Sequence, residues 1–80
     1  LLQQIELRED LEMLTAKKDL DGLEKMKETV ISDRNTMLQN FEVSYLASEL
    51  IEAKSLYNSL QFLFKLVDEI EDAEEKLLDY

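Results

Sequence analysis

Residues 43–67, VSYLASELIEAKSLYNSLQFLFKLV, decide the fold. Within them Val43, Leu46, Leu50, Ala53, Tyr57, Leu60, Phe64 and Val67 recur at steps of three and four, the spacing of a helix that packs against other helices. No strand pattern of period two competes. A second row, Leu56, Leu63, Ile70 and Leu77, steps by seven beside the first and makes the apolar face wider than a two-stranded seam requires. Such a helix needs more than one neighbour. With no proline, one glycine and 45% apolar residues, the chain is expected to be all-α.

Downstream of this stretch, Asp68, Glu69, Glu71, Asp72, Glu74 and Glu75 turn the same helix, C (about 44–79), into a solvated acidic segment. Upstream, helix B (about 23–40) carries Leu23, Val30 and Met37 at seven-residue spacing. The polar run Ser32–Thr36 reads as an exposed helical turn, because these rows pass through it in phase. The phase changes over residues 39–44, where Asn40 or Ser44 is a natural cap, so a bend is expected there.

Helix A (about 2–19) sets Leu7, Leu11 and Leu14 on one face. Its stripe stops at Lys18, and Gly22 is suited to a left-handed cap, with Asp21 and Glu24 capping the next helix. A turn is therefore expected at 19–22. The alternative is one helix running through, since an exposed glycine costs only about 1 kcal/mol. The expected architecture is a single 80-residue module: an antiparallel helical coiled-coil hairpin of A and B with a long third helix packed along it.

The packing seam is assigned to Leu7, Leu11, Leu14, Leu23, Val30, Met37, Leu46, Leu50, Tyr57, Leu60, Phe64 and Val67. Leu56, Phe62, Leu63 and Leu66 form the candidate partner interface on helix C. Phe62 in particular points away from the seam, where it serves either a third helix or an external partner.

Composition excludes several functions. Without cysteine or histidine there is no disulfide, thiolate zinc site or imidazole catalysis. Asp19, Asp21, Gly22 and Glu28 match positions of a calcium loop, but Lys17 occupies the first ligand position, where an oxygen is needed. No constellation encodes a catalytic pocket, so neither enzyme activity nor a cofactor or metal is expected. A net charge of −10 repels nucleic acid and anionic membrane, and no apolar run reaches the ~20 residues of a bilayer span. A partner with a basic face is expected instead. Lacking an initial methionine, the chain is expected to be a segment of a longer protein.

Leu20–Asp33, LDGLEKMKETVISD, continued by Met37–Gln39, resembles the regulatory coiled coil of kinesin-4 family motors, where a helix of this apolar spacing leads into an Ile-Ser-Asp step. Leu46–Phe64, with Leu50-Ile-Glu-Ala-Lys54 and the leucines after it, is similar to the next helix of that family. The resemblance implies a non-catalytic stalk module that folds back on itself and helps hold a microtubule motor inactive. The implied partner is a kinesin motor domain or another basic protein surface, and the implied location is cytoplasmic and cytoskeleton-associated. The alternative expectation is a structural oligomerisation segment of an unrelated cytoskeletal or scaffold protein, self-associating through helix C.

Overall fold

The computed structural model describes residues 2–79, with side chains from Gln3 onward. Three helices account for almost all of it: α1 (Leu2–Ala16), α2 (Leu20–Leu46) and α3 (Leu50–Leu78). They run up, down and up in a bundle measuring 49 × 20 × 15 Å. Among the described residues there is no strand.

Both turns end a helix in the same way. Lys18 (φ 56°) and Ser48 (φ 61°) take the left-handed conformation, and the amide after each bonds a carbonyl five residues back: Asp19 to Leu14 at 3.0 Å and Glu49 to Ser44 at 2.9 Å. This Schellman closure satisfies carbonyls that the ending helix leaves free. It moves both expected turns. The first spans residues 17–19 and not 19–22; the second spans 47–49 and not 39–44, so α2 continues through Phe41 to Leu46.

Gly22 consequently lies inside the first turn of α2, with an ordinary negative φ. Its amide donates to Asp19 Oδ1 at 2.9 Å, making Asp19 the N-cap in place of Asp21. What glycine supplies is room. A Cβ there would meet Asp19 Oδ2 and Leu14 Cδ2, each at 2.6 Å.

The principal pairing joins α2 and α3, with the shorter α1 lying across both. Leu23 and Val30 from α2 and Leu63, Leu66, Val67 and Ile70 from α3 form the buried centre, against which Leu7, Leu11 and Leu14 of α1 pack. Each such aliphatic side chain contributes roughly 1.5–3 kcal/mol by leaving water. Met37 and Phe62 lie at the margin of this cluster, and Ala53 and Leu60 extend the buried row toward the second turn.

The phase of α3 differs from the expected seam. Leu46, Leu50, Tyr57 and Phe64 stand 84%, 64%, 49% and 47% exposed. Leu63 and Leu66, assigned to an external interface, are 7% and 0% exposed and belong to the core. The cause is where the neighbours sit. Buried positions run from Leu60 and Val67 through Leu63 and Ile70 to Leu66, so the packed arc centres on the seven-residue row of Leu56, Leu63, Ile70 and Leu77. One residue along a helix turns about 100°, enough to move the Leu50, Tyr57, Phe64 row to the rim. Phe62 packs beneath α1, with the Arg8 guanidinium 5.3 Å from its ring centre.

Candidate protein-contact surface

Two ion pairs tie the acidic end of α3 to the other helices. Arg8 of α1 donates to Glu69 at 2.7 Å, and Lys27 of α2 donates to Glu74 at 2.8 Å. The second pair is the more sheltered, its side chains 25% and 14% exposed. The Glu74 carboxylate raises the Lys27 pKa above its ordinary 10.5 by accepting its hydrogen bond, and this outweighs partial burial. Two acids of the expected solvated run thus do structural work, while Glu71, Asp72 and Glu75 remain exposed.

Where α1 begins, its packing against the α2–α3 pair leaves a groove of about 370 Å³. Gln3, Gln4 and Leu7 form one wall, Asp33, Thr36, Met37 and Asn40 the second, and Leu56, Ser59, Phe62 and Leu63 the third. Of the four residues assigned to a partner interface, Leu56 and Phe62 line this groove as partly buried side chains. Leu63 also lines it, but as a core residue.

A second surface was not singled out from sequence. Between α2 and α3, outside the cluster that α1 covers, Arg34 stacks over Phe64 with its guanidinium 4.6 Å from the ring centre. Beside this pair the Phe41 ring lies 6.2 Å from Tyr57 and 6.0 Å from Tyr45. Gln61 donates to the Tyr57 hydroxyl at 3.0 Å. Leu38 and Leu50 extend the strip as exposed leucines. The signal for it was present in the sequence. Residues 53–67 hold no acid, only Lys54 and Lys65, and residues 34–41 hold none either, in a chain of net charge −10.

Among the described residues no group of three or more His, Cys, Asp or Glu side chains is placed to hold a metal ion, and no helix is long and apolar enough to cross a membrane. Fold and surface together define an acidic three-helix bundle whose exposed features suit contact with other proteins. Residues 1–71 match the family described as the HSCB C-terminal oligomerisation domain, and the chain belongs to that family.

Curated relatives carry the name co-chaperone protein HscB homolog. The protein from Pasteurella multocida is 32% identical over 80 residues, covering 100% of this chain and 46% of the relative. That from Aliivibrio salmonicida is 42% identical over 80 residues, covering 98% and 46%. Mannheimia succiniciproducens supplies another at 30% identity over 80 residues. The chain thus spans about half the length of the curated relatives it matches. No solved structure matches it significantly.

These matches overturn the kinesin resemblance and what it implied: the stalk function, the motor-domain partner and the cytoskeletal location. The alternative of an unrelated cytoskeletal or scaffold segment falls with them. Helix packing prescribes where apolar residues recur and leaves their identity free, so heptad segments of unrelated proteins come to look alike.

Proposed function

We propose that the chain is the C-terminal, non-catalytic contact module of an HscB-type co-chaperone, joining its parent protein to other protein chains while the remainder of the parent supplies the rest of the activity. The observation that carries this is the family match across residues 1–71, which takes in α1, α2 and most of α3. The geometry supports it. A bundle tied internally by Arg8–Glu69 and Lys27–Glu74 is a rigid scaffold on which a groove and an aromatic strip hold fixed positions. Preorganised surfaces of this kind lose little conformational entropy on binding.

The test is competition. Added in trans to the full-length co-chaperone in a chaperone-assisted assay, the isolated chain occupies the same contacts without supplying the other half. Co-chaperone activity should therefore fall as the chain is titrated in. Unchanged activity at saturating chain would overturn the assignment.

A further inference from the structure

One groove of the α2–α3 pair is covered by α1, and the aromatic strip lies along the other, where Tyr57 and Phe64 stand about half exposed. We propose that this strip docks an acidic amphipathic helix of a partner protein. The proposal rests on the contact-module role and names the surface and the chemistry of one contact.

Charge identifies the occupant. On the covered side the cation comes from the covering helix: Arg8 of α1 pairs with Glu69 and lies 5.3 Å from the Phe62 ring centre. On the open side the arrangement is inverted. Arg34 of α2 lies over Phe64, α3 adds the exposed Lys54 and Lys65, and none of the three forms an ion pair among the described residues. Acids border the strip at its ends, Glu42 and Glu49 toward the second turn and Asp68 beyond Phe64. A helix that completes this groove therefore has to bring carboxylates beside its apolar face. Elsewhere a chain of net charge −10 repels such a helix, so the field steers it to the strip. A cationic partner would be held at many places and select none.

Shape calls for a helix. Leu50, Tyr57 and Phe64 recur at seven-residue steps on α3, as Leu38 and Tyr45 do on α2, and an amphipathic helix meets such rows with apolar residues at three-, four- and seven-residue spacing. From Leu50 to Phe64 the strip runs about 21 Å, which a helix the length of α1, 15 residues, would span. These five side chains are between 37% and 64% exposed. At roughly 100 Å² each they offer on the order of 500 Å² to a partner, the size of a weak and reversible contact.

The probe is a synthetic helical peptide of about the length of α1, with leucines on one face, glutamates flanking them and a fluorophore at one end. Fluorescence anisotropy against the folded chain should show micromolar binding that weakens as salt is added. Backbone amide shifts should change around Arg34, Phe41, Tyr57 and Phe64, and stay unchanged around Leu7 and Leu11. The double variant Lys54→Glu, Lys65→Glu alters only exposed side chains and should weaken binding at least about tenfold, with circular dichroism verifying its fold. Phe64→Ala keeps every charge and should weaken it about fivefold. A peptide of glutamates without the leucines should bind at least about tenfold more weakly.

Absence of binding, shifts confined to other surfaces, or affinity unchanged in the double variant overturns the proposal. Equal binding of the leucine-free peptide reduces the strip to a patch of charge and refutes the helix. If the chain forms a dimer that Phe64→Ala dissolves and that excludes the peptide, the strip belongs to a second copy and the proposal falls. The competition assay decides the contact-module role separately, since it reads the parent's activity and uses no peptide.

Discussion

Leu66 and Phe64 sit two residues apart on α3 and exchange roles between the expected and observed phases, so truncating each to alanine tests the packing directly. Leu66 is 0% exposed at the three-helix junction, where removing its side chain forfeits the transfer free energy and leaves a cavity. That combination costs about 2–5 kcal/mol. A domain of 80 residues holds roughly 4–12 kcal/mol in all, with small cores near the lower figure. Leu66→Ala therefore removes a large share of the stability and should lower the melting temperature by about 8 °C or more. Phe64 is 47% exposed. Alanine there loses half a ring's burial and the Arg34 stacking, and recovers some helix propensity, for a net cost of about 1 kcal/mol. Thermal melts followed by far-UV circular dichroism separate the two. Phe64→Ala melting at or below the temperature of Leu66→Ala would show that the buried arc has been misplaced.

The two turns and the sheltered ion pair give further expectations. Gly22→Ala should destabilise by about 1 kcal/mol although alanine is the better helix former, because its Cβ displaces the Asp19 carboxylate that caps α2; Asp19→Ala measured alongside should cost a similar amount in urea titrations. Ser48→Gly should stabilise by up to about 1 kcal/mol, since glycine takes the left-handed φ of 61° without a Cβ clash, partly offset by greater freedom of the unfolded chain. Lys27→Met should cost about 1–2 kcal/mol at neutral pH through loss of the charged hydrogen bond to Glu74. Because the folded pKa of Lys27 is raised, this contribution is fully present below the ordinary 10.5 and fades as pH climbs through the higher folded value. The melting-temperature gap between wild type and Lys27→Met should therefore hold from neutral pH to about 10.5 and close above it.

How much of this was legible varies with the kind of signal. Periodicity established helices, and the all-α class followed from Leu23, Val30 and Met37 as surely as from the leucines of α3. Turn positions were not legible, because their left-handed residues are Lys18 and Ser48, neither of which advertises that backbone. The lone glycine pointed to the wrong place for a physical reason: at Gly22 the absence of a Cβ serves close packing under Leu14 and Asp19, and φ is ordinary. Ala47-Ser48-Glu49 contains nothing that breaks a helix, so its turn is imposed by the packing of the two long helices on one another. The partner surfaces were half legible. Leu56 and Phe62 do border the groove, whereas the Arg34–Phe64 and Phe41–Tyr57 contacts join residues far apart in sequence and appear only once α2 and α3 are aligned.

The width of the apolar arc on α3 connects these observations. From Phe64 and Tyr57 at one rim, through Leu60, Leu63 and Ile70, to Leu66 and Phe62 at the other, apolar residues pass around most of the helix, and each sector of such an arc needs a neighbour to leave water. Leu63, Leu66, Val67 and Ile70 enter the core that α1 and α2 complete, and Phe62 lies under Arg8 of α1. The remaining sector has only Arg34 and Phe41 laid against it from one side, and Phe64 and Tyr57 stay half exposed. With 15 residues α1 can cover one groove of the α2–α3 pair but not both. The sector left open has Lys54 and Lys65 beside it and no acid between residues 53 and 67, which makes it an apolar, locally basic face on a chain of net charge −10.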